Sequence, residues 1–330
     1  MSSTKAKKLF LILGIIIFLL GFLMTISHIK YGAYIVLFGI VLLVLSLIPI
    51  ILGNILYSTN ESQSTNYPNI IQSFVLTGIF ILIMFLTNSL KSDLNELIGE
   101  EAKNFICYIL ATGITFGIAY FIRKNKTSNS SFNLTIENKR ILPFIVIGTI
   151  VLLLGITPPI QSLIPLSESI KNLSSNIASH KGIFTFLAMV IAAPILEELI
   201  FRGIILDGLL KKYSPVISIL ISSLLFGLAH INPWQFVTGL LFGIFSGWIY
   251  YKTRSVLPSI IIHSSANLSG FLLRYFIDTN SSMNGSLIEM YGGITNFILS
   301  IVGSIIILSI CIYFLIKEFN KERTLLRAIQ

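Results

Sequence analysis

The sequence predicts an all-α protein: a polytopic membrane helical bundle of about ten transmembrane helices. Three observations predict it. Hydrophobic residues make up 54% of the 330 residues and charged residues 11%, against roughly 25% charged in soluble domains. Ten apolar runs recur along the chain, each long enough, or nearly so, to cross a hydrocarbon layer about 30 Å thick. The lysines and arginines gather at the ends of these runs, so the net charge of +9 reports membrane topology and not a nucleic-acid partner.

Taken in order, the expected spans are 9–27, 32–52, 70–90, 104–122, 141–160, 182–210, 215–231, 234–251, 256–273 and 294–316. Lys5, Lys7 and Lys8 precede Leu9 to Thr25 in the manner of a signal peptide. The apolar run exceeds a signal h-region and no small-residue cleavage pattern follows, so it reads as an uncleaved first helix. With the N-terminus in the cytoplasm, 17 of the 23 Lys and Arg fall on that side, among them Arg123, Lys124, Lys126, Lys139, Arg140, Lys211, Lys212, Lys252 and Arg254. Lys30, Lys91, Lys103, Lys171, Lys181 and Arg274 fall outside. The positive-inside rule thus favours a multi-pass protein with both termini cytoplasmic, and the Ile- and Asn-rich composition suits a bacterial plasma membrane. Cys107 and Cys311 each sit in an apolar span and read as packing residues.

The polar stretch 123–140 is the one internal boundary. It separates four leading helices of unassigned role, 1–122, from a core at 141–330. The leading spans carry no charged residue in their interiors; scaffold, partner contact and substrate guidance are all open for them, with scaffold the first reading.

Polar chemistry within the bilayer is confined to three helices. Pro194 to Gly203 holds Glu197, Glu198 and Arg202 inside an otherwise lipid-soluble stretch. Such groups cost several kcal/mol unless paired or wet, and so mark function by default. Glu198 and Arg202 stand at i and i+4 with the acid first, the better order for a helical ion pair; Glu197 points about 100° away and has no local partner. Phe226-Gly227-Leu228-Ala229-His230 and His263-Ser264-Ser265-Ala266-Asn267 supply the other two helices. Helix rise puts Glu197 about 21 Å above Lys211 and His230 about 22 Å beyond Pro215, with His263 and Asn267 at about 14 and 20 Å beyond Arg254. Glu197 and His230 come out level, and His263 with Asn267 brackets a similar depth. Between the histidine helices, Gly239, Gly243 and Gly247 form a smooth face that lets neighbours approach closely, and Phe201 and Phe226 read as packing. Trp234, after Asn232-Pro233, reads as an interfacial anchor or a corner. Asp207 reads as a solvated pair with Lys211.

A hydrolytic site needs a base for water, donors for the developing oxyanion and, in some designs, a metal. Glu197, His230, His263 and Asn267 offer candidates for each role. Two histidines and a glutamate are also a set that zinc accepts, so Glu197, His230 and His263 are the ligands if a divalent metal is used; a metal-free site in which Glu197 and a histidine activate water is the equal alternative.

At these residues the chain resembles the CAAX-protease and bacteriocin-processing (CPBP, or Abi) intramembrane proteases, which include the type II CAAX prenyl endopeptidase. That family's pattern is a Glu-Glu-x-x-x-Arg helix, a Phe-x-x-x-His helix and a His-x-x-x-Asn helix, met here by Glu197-Glu198 to Arg202, Phe226 to His230, and His263 to Asn267. The resemblance covers roughly residues 180 to 275. It implies that Glu197 activates water with help from His230, that His263 and Asn267 stabilise the oxyanion, and that Glu198 with Arg202 orders the site. It also implies a cavity open to the cytoplasmic, basic side, and a membrane-associated peptide as substrate. Two other classes stay open: a non-catalytic immunity or scaffold protein, and an ion-coupled transporter, which lacks the paired broken helices of such folds.

Overall fold

The computed structural model describes residues 67–89, 98–127, 131–165, 167–276 and 287–329. The expected spans 9–27 and 32–52, with the uncleaved first helix, lie outside the described residues. The other eight expected spans are each met by a helix: α1 (Ile70–Ser89), α2 (Glu100–Thr127), α3 (Lys139–Gln161), α5 (Ile183–Leu210), α6 (Pro215–Leu228), α7 (Pro233–Thr253), α8 (Leu257–Phe276) and α10 (Ile294–Ile329). Two short helices complete the set, α4 (Glu168–Ser179) and α9 (Leu287–Met290). No strand occurs among the described residues.

Among the described residues five helices are long and apolar enough to cross a membrane: α1, α2, α3, α5 and α10. The long helices α7 and α8 are not among them, because they carry the glycine, serine, histidine and asparagine residues that build the interior. In α10 only 11% of the most apolar window is buried against the described chain, and Ile298, Val302, Ile305 and Ile306 remain exposed. Bare apolar faces of this extent belong to a lipid-facing helix.

Local sequence explains where the helices begin. Ser214 caps α6 through Ile217 N–H, with Pro215 in the first turn. Asn232 caps α7 by accepting from Trp234 N at 2.9 Å and Gln235 N at 3.3 Å, with Pro233 following. Proline fits there because that N–H has no helical partner anyway. Asn232-Pro233-Trp234 is therefore a helix start, and Trp234 Nε1 donates to Ile164 O at 2.9 Å, tying α7 to the loop after α3.

Inside α3 and α5 proline acts differently. Each has a widened π turn just before a proline, Leu152–Ile156 ahead of Pro158 and Leu187–Ala192 ahead of Pro194. A residue without an N–H breaks the regular ladder, and the wider turn absorbs the mismatch. A second π stretch, Leu199–Leu206, follows Glu198, so the acidic pair stands on one regular turn between two widened ones. Such bulges recur at functional sites.

Two apolar cores flank that turn. Leu76, Phe80, Ile200, Phe201, Ile204, Leu225 and Phe226 join α1, α5 and α6. Ile141, Ile145, Phe242, Phe245, Ile249, Ile262 and Leu315 join α3, α7, α8 and α10. Helices α6 and α7 meet along the expected glycine face. A Cβ on Gly239 would stand 2.9 Å from Gly227 Cα, and one on Gly243 would stand 2.7 Å from Ser223 Cβ.

At the basic end the expected solvated Asp207–Lys211 pair is instead a mostly buried junction. Asp207 lies 2.8 Å from Lys211 and 3.6 Å from Arg123, and it accepts from Tyr250 Oη at 3.2 Å. Helices α2, α5 and α7 all end here, which is why the carboxylate is enclosed. Cys107 and Cys311 are free and buried, as packing residues.

Candidate active site

The three polar helices converge. Glu197, Glu198 and Arg202 on α5 are buried to 7%, 1% and 1% exposure. Arg202 Nε lies 3.0 Å from Glu198 Oε2, yet among the described residues neither its Nε nor its Nη1 has a hydrogen-bond partner. The pair is held by charge, and the guanidinium lies over the Phe226 ring, 4.4 Å from its centroid, where the aromatic face offsets part of its charge.

Glu198 also fixes His263. Its Oε1 accepts from His263 Nδ1 at 3.0 Å and its Oε2 accepts from Ser246 Oγ at 3.3 Å. A carboxylate can only accept here, so Nδ1 carries the proton and Nε2 is turned elsewhere. That Nε2 lies 4.0 Å from Glu197 Oε2, too far for a direct hydrogen bond and the right span for one water between them.

Glu197 is held from a direction that no motif announces. Tyr108, on α2, donates to Glu197 Oε1 at 2.5 Å, while Oε2 has no partner among the described residues. One oxygen is anchored and the other is bare. A tyrosine in a span otherwise free of polar chemistry carries no motif, so only the approach of α2 to α5 reveals it.

His230 ends α6. Its Nδ1 donates to Phe226 O at 2.9 Å, which leaves Nε2 of the neutral ring as an acceptor. Ile231 follows at φ 54°, a conformation costly for a β-branched residue, and turns the chain into α7. His230 makes no ion pair or hydrogen bond to either carboxylate; it meets the site through Phe226, whose ring sits 5.2 Å from His230 and 5.5 Å from His263, both edge to face. Phe226 thus does more than fill space: it separates and orients both imidazoles.

Asn267 Nδ2 donates to Met189 O at 2.7 Å. The cause lies in the widened turn of α5. Ala193 N–H bonds Ala188 O and Pro194 has no N–H, so Met189 O has no helical donor and Asn267 supplies one. Its second amide hydrogen remains for the cavity.

Two cavities share His230, Gln235, His263 and Asn267. The smaller, about 140 Å³, lies behind them among Glu198, Arg202, Thr238 and Ser246, with room and polar groups for several waters. The larger, about 390 Å³, contains Glu197 and Tyr108 and extends past Met189 and Thr185 to Glu101, His180 and Arg274. It departs from the expectation of an opening at the basic end. Between Glu197 and that end, residues Ile200 to Leu206 of α5 are all buried, and beyond them Gly208 packs on Pro68.

Comparison with known proteins agrees with the three motifs. Residues 179–269 match the family model described as type II CAAX prenyl endopeptidase Rce1-like. Over these residues the chain is similar to the Rce1-like proteins. The Rce1-like segment holds all six candidate residues but not Tyr108. The chain is also similar to a curated relative, UPF0177 protein YxdF of Lactococcus lactis subsp. lactis (strain IL1403), at 36% identity over 90 residues. That match takes 27% of this chain and 49% of the relative, so the chain spans about half the length of the curated relative it matches. No solved structure matches.

The metal reading meets the geometry less well. Among the described residues no three of His, Cys, Asp and Glu stand close enough to hold an ion, although the Nδ1 bonds of His230 to a backbone carbonyl and of His263 to Glu198 leave each Nε2 free, as in metal-bound histidines. As placed, Glu197, His230 and His263 do not form a three-ligand set.

Proposed function

We propose that this protein is an intramembrane endopeptidase that hydrolyses a peptide bond in a membrane-associated peptide. The observation that supports it best is the divided state of Glu197, a residue lining the larger cavity, with Oε1 bound by Tyr108 and Oε2 buried, bare and 4.0 Å from His263 Nε2. A carboxylate so held is oriented for proton abstraction.

In this reading a water enters from the cavity that Glu197 and His230 both line and is held by Glu197 Oε2 with help from the acceptor Nε2 of His230. Glu197 Oε2 takes its proton as the water oxygen bonds to the scissile carbonyl carbon. The carbonyl electrons move onto its oxygen, which accepts from Asn267 Nδ2–H and from His263 Nε2–H. Two carboxylates and one guanidinium leave one excess negative charge in the cluster, which a proton on His263 balances. The C–N bond then breaks and the amine takes its proton from Glu197. Glu198, with Arg202 and Ser246, keeps the His263 ring in place, the role a second carboxylate plays toward a catalytic imidazole elsewhere. The reading also takes 141–330 as the catalytic core and the preceding helices as its support, in a plasma membrane with cytoplasmic termini.

The test compares membrane peptides from cells carrying the wild type, Glu197→Ala or no copy. One or more peptides should accumulate uncleaved in the last two, with the variant inserted at normal levels. An unchanged peptide population in Glu197→Ala, where loss of the gene does change it, would assign the protein a non-catalytic binding role instead.

A further inference from the structure

The two ends of the bundle differ in charge, and among the described residues the cavities that hold the candidate side chains reach only one of them. At one end stand Arg123, Lys124, Lys126, Lys139, Arg140, Lys211, Lys212, Lys252 and Arg254. Arg123, Lys211 and Asp207 close over it, and no residue from this group lines either cavity that holds the candidate residues. At the other end stand Glu100, Glu101, Lys103, Glu168, Lys171, His180, Lys181 and Arg274, a mixed and sparse set. Glu101, His180 and Arg274 line the larger cavity directly.

That second end is built as a mouth. Glu101 Oε1 accepts from Gly182 N at 3.0 Å, tying the start of α2 to the start of α5. Arg274, near the end of α8, donates to Ile177 O at 3.2 Å and His180 O at 2.8 Å and so fastens the end of α4. His180 Nε2 lies 3.6 Å from Glu100. These contacts brace the rim from four helices, α2, α4, α5 and α8, around the cavity that Glu197 also lines. The wall is mixed as well: Met84, Phe105, Phe184 and Met189 are apolar, Asn104 and Thr185 polar. Such a lining takes an extended peptide with one apolar side and a solvated backbone.

Basic ends face the cytoplasm. We infer that the larger cavity opens on the opposite, translocated face of the membrane, so that the site takes exported peptides held at the outer leaflet and not peptides presented from the cytoplasm. The substrate class rests on the peptidase reading; the sidedness does not.

The experiment uses full-length protein in intact cells, with Cys107→Ser and Cys311→Ser removing the native thiols. Thr185→Cys at the mouth and Lys212→Cys at the basic end are each exposed to a membrane-impermeant maleimide, before and after permeabilisation. Labelling of Thr185→Cys in intact cells, and of Lys212→Cys only once cells are permeabilised, is the expected result. Labelling of Thr185→Cys only after permeabilisation, labelling of Lys212→Cys from outside, or no labelling of Thr185→Cys at all would each overturn the proposal. The same pair carrying Glu197→Ala must label alike, because sidedness needs no turnover. If labelling follows the expected pattern while Glu197→Ala changes no peptide, the peptidase reading falls and the outward opening stands.

Discussion

Tyr108 donates a 2.5 Å hydrogen bond to Glu197 from a helix that lies outside the matched segment 179–269. The base of the proposed reaction is therefore positioned by the part of the chain that the motifs leave unassigned. Tyr108→Phe keeps the ring and removes only the hydroxyl. A hydrogen bond to a charged group contributes about 1.5–3 kcal/mol, which corresponds to roughly one to two powers of ten in rate. The expected outcome is a fall of that size in kcat with KM little changed, and no shift in thermal unfolding beyond that of a single buried contact. An unaltered kcat would show that Glu197 needs no anchor.

Asn267 and Pro194 are coupled through Met189 O. Asn267→Ala should leave that carbonyl bare and cost about 1–3 kcal/mol. In a Pro194→Ala background the turn can re-register and bring a backbone donor to the same carbonyl, so the second loss should be smaller. Detergent unfolding of both single variants and the double should give a coupling of about 0.5–3 kcal/mol. Strict additivity would mean that the widened turn, and not the proline, leaves the carbonyl free.

Much of this was legible in the sequence, and the gaps have physical causes. The eight described spans follow from hydropathy, which needs no tertiary knowledge. Convergence of Glu197, His230, His263 and Asn267 on one hollow followed from helix rise, because rigid rods of fixed pitch carry depth information. What rise cannot give is the rotation of each rod or the direction of each ring. That is why Tyr108 was missed, why His230 faces a carbonyl, and why Asp207 proved enclosed. The opening of the cavity was inferred by analogy alone, and the packing of Ile200 to Leu206 below Glu197 points it the other way.

The glycine seam between α6 and α7 sets how near the histidine helices stand. Gly243→Ala would put a methyl 2.7 Å from Ser223 Cβ and 2.8 Å from its Cα; the second is backbone and cannot turn aside. Overpacking of this kind costs about 1–3 kcal/mol. Gly303→Ala, on α10 with no described atom within 4 Å, should instead be neutral or gain up to about 1 kcal/mol from helix propensity. Unfolding temperatures in one detergent compare them directly, and equal shifts would show that the seam has slack.

Glu198 and Arg202 form a buried pair whose halves depend on one another. Glu198→Gln retains an oxygen that can accept from His263 Nδ1, yet it leaves the guanidinium, 1% exposed, facing only the Phe226 ring. Removing one partner of a buried pair typically costs about 3–5 kcal/mol, whereas replacing both by uncharged groups of similar volume is often close to neutral. Glu198→Gln and Arg202→Met should thus each destabilise strongly, and the double variant should unfold nearer to the wild type than either. Its kcat should stay low, because an amide oxygen holds the His263 Nδ1–H less firmly than the carboxylate bonded to it in the wild type. A double variant that recovers stability but not turnover separates the two duties of Glu198, holding the helix and holding the imidazole; recovery of both would reduce it to a packing residue.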